Sequence, residues 1–200
     1  MRFVWGSIGL LVIGLGLAWY SALRPSANLS HFAQYFVAPN NSSVWQGDSV
    51  RVTFFGTSTL LFDDGETQLL IDGFFTRPSV FKVGFGKVST NQPLVKQVLE
   101  EQKINRLKAV FVCHSHYDHV MDAPYICTLT KAILHGSSST LNVAMGEGLP
   151  QNQMQLYYPG QEVEVGKFKV TVIKSKHTPP FRFLGKTNAT DPRHPNIEHP

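Results

Sequence analysis

Cysteine is scarce in this 200-residue chain, which has only Cys113 and Cys127. Two cysteines do not make a disulfide framework. Cys113 closes the apolar run Ala109-Val110-Phe111-Val112 and reads as a buried structural thiol, as does Cys127. Charge imbalance is slight too: eighteen Lys and Arg stand against fourteen Asp and Glu, a formal net charge of +4. Cationic residues are scattered singly, so no nucleic-acid partner is expected, and the surface reads as solvated and mildly basic. Low-complexity segments and repeats at solenoid periods are missing. Apolar content is ordinary and phenylalanine is plentiful, with fourteen residues, which excludes disorder for most of the chain.

What is present begins with an uncharged stretch, Phe3 to Tyr20, dominated by Leu, Ile, Val, Gly and Trp and running on to Leu23. At 1.5 Å per helical residue it just spans a bilayer core of roughly 30 Å. Trp5, Trp19 and Tyr20 sit near its ends, where amphipathic rings favour the interface. The stretch therefore predicts a single-pass N-terminal membrane anchor over residues 1–23. A cleaved signal peptide is the competing reading, but its apolar region is normally shorter, and Tyr20-Ser21-Ala22 is a poor cleavage site. Arg2 and the α-amino group precede the segment and Arg24 follows it, which orients the N-terminus to the cytoplasm and the domain outside it, periplasmic or extracellular. Residues 24–48, rich in Ser, Asn, Pro and Ala, read as a juxtamembrane linker with a short helix near His31 to Phe36. The folded domain is expected over residues 49–200.

From Val50 the pattern changes. Strands are predicted at Val50 to Phe55, Thr59 to Phe62 and Gln68 to Ile71, with Asp63-Asp64-Gly65 as a hairpin turn. Phe74 to Thr90 reads as a loop. Leu94, Val95, Val98 and Leu99 have helical spacing behind Pro93, a residue suited to a first turn. Leu107 to Cys113 is a buried strand and Lys131 to Leu134 a short one. A possible short helix follows Gly136, and Gln161 to Val165 pairs with Phe168 to Lys174 in a hairpin. Strands mixed with helices in one domain indicate an α/β layered architecture.

The chemistry concentrates in Cys113-His114-Ser115-His116-Tyr117-Asp118-His119. Imidazole and carboxylate together suit Zn²⁺, or iron or manganese of similar demand. On an extended segment His114 and His116 point the same way and can grip one ion. Asp118 and His119 fall where the chain turns into a helix and can face a second ion. His135 follows a short strand and either packs at the surface or lines a pocket. His31, His194 and His199 have no such context and read as solvent-exposed.

This H-x-H-x-D-H segment resembles the signature of the metallo-β-lactamase superfamily. Val52-Thr53-Phe54-Phe55-Gly56 through Leu69-Leu70-Ile71-Asp72 resembles the strand, glycine turn and hairpin with which that family opens. The resemblance implies an αββα sandwich and a metal-dependent, binuclear zinc hydrolase using a metal-bridging hydroxide on an ester, amide or phosphodiester. It implies that His114, His116 and His177 hold one ion, and that Asp118 and His119 belong to the second. Asp118 is also the residue assigned a catalytic role. Asp72 would orient the histidine loop from behind the ligands, or simply end its strand in a turn. Asp122, three residues after His119, would cap or position a helix rather than bind metal. His177 fits the third-histidine slot because it ends the run Val170 to Ser175 and opens a loop.

The resemblance covers residues 50 to 180, and the downstream bridging Asp and last His have no counterpart: Asp191, His194 and His199 lie in a Pro- and Asn-rich stretch with no strand leading into them. The sequence thus reads as the N-terminal half of the sandwich, and the alternative function is a truncated, non-catalytic metal-binding fragment. A diiron oxidoreductase would need a flavin-binding partner, and no glycine-rich phosphate loop of that kind is present. A small-molecule or lipid-like substrate is expected, with Phe74, Phe75, Phe81 and Phe85 as an apolar lip.

Overall fold

A computed structural model describes residues 2–23 and 49–175. The chain divides into two compact units, Met1–Val44 and Trp45–Pro200. In the first, helix α1 covers Arg2–Leu23. Among the described residues no helix is long and apolar enough to cross a membrane. That overturns the expected transmembrane anchor and, with it, the expected placement of the domain outside the cytoplasm. The proposed linker, including His31, lies outside the described residues.

In the second unit, period-two alternation of apolar residues builds the sheet. Strands β1 (Arg51–Gly56), β2 (Thr59–Asp63) and β3 (Gln68–Ile71) form an antiparallel meander. Gly56 and Thr57, both at positive φ, turn β1 into β2. The second turn is closed by side chains: Asp63 accepts from the Gly65 amide and Asp64 from the Thr67 amide. From β3 the sheet continues in parallel through β4 (Leu107–Phe111), β5 (Ile133–Gly136) and β6 (Met154–Leu156). The spatial order of all six strands equals their order in the chain.

Parallel neighbours require crossovers, and helices supply them. Helix α2 (Val80–Phe85) and helix α3 (Gln92–Glu101) lie between β3 and β4; α4 (Tyr117–Val120) and α5 (Ala123–Thr130) lie between β4 and β5; α6 (Ser138–Gly146) lies between β5 and β6. Val95 and Leu99 of α3, Ile126 and Cys127 of α5 and Ala144 of α6 share one core with Leu70, Val110, Val112 and Leu134 of the sheet region. Helices therefore cover a single face, as right-handed crossovers dictate. The hairpin β7 (Glu162–Val165) and β8 (Phe168–Thr171) covers the other face, where Val165 packs on Ala109 and Phe111. The result is a helix–sheet–sheet stack, a mixed α/β fold.

Several local expectations shift. The stretch read wholly as a loop contains α2, capped by the Ser79 hydroxyl, which accepts from the Lys82 amide. The short strand expected from Lys131 begins at Ile133, because Lys131 takes a left-handed conformation at the end of α5. Strand β6 has three residues, too few for a readable alternation. Cys113 is exposed rather than buried, since β4 ends at Phe111 and the chain turns outward after Val112.

His135 departs from the surface role expected of it. It is buried on β5 and stacks on Phe111, ring centroids 4.5 Å apart. Burial lowers its pKa to about 4. The unfolded chain therefore takes up a proton on this residue before the folded chain does. Stability from the neutral ring is complete above the ordinary imidazole range and is lost as pH falls towards 4, by roughly 3 kcal/mol in all. His135→Phe is expected to flatten this acid limb. Urea unfolding of both proteins at neutral pH and near pH 4.5 checks it, and equal acid sensitivity of the two would contradict it.

Candidate metal centre

The parallel strands β3, β4 and β5 all end at one edge of the sheet, where α/β proteins gather their ligand groups. The apolar strand β4 delivers Val112 and Cys113 to this edge, and residues 113–119 form the loop and helical turn beyond it. His116 is the extended N-cap residue of α4, and its carbonyl accepts from the amides of His119 and Val120. That single turn folds His119 back towards the loop. The rings of His114 and His119 lie 3.9 Å apart, and those of His114 and His116 lie 4.6 Å apart. His114 Nε2 and His116 Nδ1 share a hydrogen bond of 2.8 Å. Asp118 Oδ2 stands 3.9 Å from His119 Nε2.

Behind the histidines lies Asp72, fully buried and in left-handed backbone conformation, φ 55°. Its Oδ1 accepts from the Cys113 amide at 2.8 Å. Its Oδ2 accepts from the Ser58 hydroxyl at 2.6 Å and from His119 Nδ1 at 2.7 Å. A carboxylate offers only acceptors, so the imidazole proton belongs on Nδ1, and Nε2 of neutral His119 keeps its lone pair. Ser58 Oγ also approaches His119 Nδ1, at 2.9 Å.

A second buried carboxylate works in the opposite direction. Asp122 occupies the N-cap position of α5 but makes no capping bond there. Instead its Oδ2 accepts from the amides of Phe75 (2.7 Å) and Thr76 (2.6 Å). The two segments are laced further by Gly73 N–H to the His119 carbonyl and Asp122 N–H to the Gly73 carbonyl. They approach so closely that a Cβ at Gly73 would lie 2.8 Å from the Ala123 backbone. Tyr157, following β6, donates from its hydroxyl to the Val112 carbonyl at 2.6 Å and pins the start of the histidine loop.

The electrostatics follow from these contacts. Burial alone would lower the His119 pKa, but the hydrogen bond and charge of Asp72, with the charge of Asp118, outweigh it and raise the value. Although the Cys113 residue is exposed as a whole, its thiol is pushed up to about 12 by local desolvation and by Asp72, which keeps it protonated at neutral pH. Burial likewise lifts Tyr157 to about 12, so its hydroxyl remains a donor.

Of the proposed ligands, the structure brings together His114, His116, Asp118 and His119. His177, with Asp191, His194 and His199, lies outside the described residues. Among the described residues no group of three or more His, Cys, Asp or Glu is arranged to hold a metal ion. The donors nevertheless fit one chemically: three imidazoles and a carboxylate share one loop, and Asp72 leaves His119 Nε2 available. His114 and His116 would exchange their mutual hydrogen bond for the ion. Of the expected apolar lip, Phe74 and Phe75 are buried instead, Phe74 against the ring of Tyr117, while Phe81 and Phe85 stay exposed and pack on each other. Sequence reasoning missed Ser58 and Tyr157 and misread the reach of Asp122. Ser58 could have been found from strand register, because Leu60 pairs with Ile71 and so sets the β1–β2 turn beside Asp72.

Asp122→Ala would strand two buried amides and is expected to cost roughly 2–5 kcal/mol of stability. Asp122→Asn keeps an acceptor and should recover most of that loss. Chemical denaturation of both variants measures it; a loss below about 0.5 kcal/mol in the alanine variant would contradict the assigned role.

Comparison with known proteins gives this edge a context. The model of the metallo-beta-lactamase superfamily matches residues 52–196. A UPF0173 metal-dependent hydrolase of Heliobacterium modesticaldum is 30% identical over 107 residues, covering 54% of this chain and 38% of that protein. A UPF0173 metal-dependent hydrolase of Christiangramia forsetii is 26% identical over 134 residues, covering 66% of this chain and 50% of that one. The chain thus spans about half the length of the curated relatives it matches, or less. Among solved structures, Igni18, a metallo hydrolase of Ignicoccus hospitalis, superposes with a TM-score of 0.40 at 23% identity, covering 58% of this chain and 42% of that one. With the family model spanning most of its length, the chain belongs to the metallo-beta-lactamase superfamily.

Proposed function

We propose that the chain carries the site of a metal-dependent hydrolase. The observation that carries this reading is the convergence of the His114, His116 and His119 rings at the carboxyl edge of the parallel strands, with His119 fixed by Asp72. Family membership and relatives named as metal-dependent hydrolases support it. In this proposal His114, His116 and His177 hold one ion, and Asp118 and His119 contribute to a second. Zinc suits the donor set best, with iron or manganese as alternatives. Bound there, the ions supply an activated water and polarise the scissile oxygen of an ester, amide or phosphodiester.

The chain's own residues do the positioning. Asp72 keeps the proton of His119 on Nδ1 and so presents Nε2 to the ion, while its other oxygen holds the Cys113 amide and the root of the loop. Ser58 turns its hydroxyl onto the same carboxylate. Tyr157 fixes the Val112 carbonyl, where the loop leaves the sheet. Asp118, half-buried beside His119, takes the catalytic role in this proposal, as a carboxylate that would bind the second ion.

The alternative reading is a non-catalytic site holding a single ion. Metal content per chain separates the two. About two ions are expected, with binding lost in His116→Ala and weakened roughly 10–100-fold in Asp72→Ala. About one ion per chain favours the second reading. A folded chain that binds none contradicts both.

A further inference from the structure

The segment between β3 and β4 has a composition that the histidine site does not use. Residues 73–99 include Arg77, Lys82, Lys87 and Lys96 and no acidic residue. Within it, the loop after β3, α2 and the first turn of α3 line an open pocket of about 530 Å³, where Arg77, Lys82, Ser89 and Asn91 are all solvent-exposed. Its lining contains two cations, Arg77 and Lys82, and no carboxylate. Ser89 and the side-chain amide of Asn91 add neutral hydrogen-bonding groups, and Phe75 and Leu94 add apolar wall. Asn91 caps α3 by accepting from the Leu94 amide, and both residues belong to the lining. Arg77 uses one guanidinium nitrogen on the Phe55 carbonyl, and a guanidinium has five N–H donors in all. Asp122, which is not part of the lining, has its Oδ2 engaged by the amides of the wall residues Phe75 and Thr76.

We infer that this pocket is a binding site for the anionic group of a small molecule, a phosphate monoester with a compact apolar body. The charge pattern selects an anion. The volume lies in the range of small-molecule pockets and exceeds what a bare oxyanion needs. The apolar wall beside the cations takes the remainder of the ligand. The site is separate from the histidine cluster, yet joined to it: Thr90 donates to the Met121 carbonyl, and Asp122 holds Phe75 and Thr76.

Titration calorimetry of the full chain with phenyl phosphate tests this at low ionic strength, where charge pairing is least screened. Saturable binding with a Kd of about 1 mM or tighter is expected. Lys82→Gln and Arg77→Gln should each weaken it ~10-fold or more, and benzyl alcohol, neutral and of similar shape, should not bind. His116→Ala should leave binding intact, which separates this site from the histidine cluster. Arg77 also supports Phe55, so if its variant fails to fold, Lys82→Gln on exposed α2 decides the matter. Absence of saturable heat, unchanged binding in Lys82→Gln, or loss of binding in His116→Ala would each overturn the inference.

Discussion

The carboxylate of Asp72 joins three segments distant in sequence: the β1–β2 turn through Ser58, the root of the histidine loop through the Cys113 amide, and the helical turn through His119. A buried carboxylate is costly to desolvate and persists only where donors surround it. Here three donors do so, and the bond to His119 is charge-assisted. The left-handed backbone at Asp72 adds a cost of about 1 kcal/mol, at the lower end for aspartate because it tolerates this conformation. Strain of this kind persists where the surroundings over-determine it, and the Asp72 amide is itself held by the Phe111 carbonyl at 2.7 Å.

Asp122 mirrors this arrangement from the other side of the crossing. Asp72 leaves β3 and reaches the histidine loop; Asp122 follows α4 and reaches back to the segment beyond β3. Gly73 stands between them because a side chain there would strike Ala123. The two clasps make the histidine turn and the wall of the basic pocket parts of one hydrogen-bonded unit. The sheet supplies the frame: apolar faces buried on both sides fix where β3 and β4 end, and so where Asp72 and His114 emerge.

Much of this frame was legible in the sequence because it rests on local periodicity. The meander, α3 and β4 follow from alternation and from the spacing of Leu94, Val95, Val98 and Leu99. The histidine run stood out by residue type alone. What stayed hidden was long-range. Ser58 and His119 are 61 positions apart, and Asp122 meets Phe75 across 47, so no local window contains either pair. Strand β6 was too short to announce itself, and the strand expected to reach Cys113 ends two residues earlier, at Phe111. The uncharged run at the N-terminus forms the helix Arg2–Leu23, yet among the described residues no helix is long and apolar enough to cross a membrane.

The central claim is that Asp72 fixes the proton of His119 on Nδ1 and so determines which nitrogen faces the site. Long-range ¹H–¹⁵N NMR of the metal-free protein, at a pH alkaline enough to neutralise the raised pKa of His119, measures this directly. A protonated Nδ1 and a bare Nε2 are expected, with that preference lost in Asp72→Ala. A His119 protonated on Nε2, or a tautomer unaffected by removing Asp72, would contradict it.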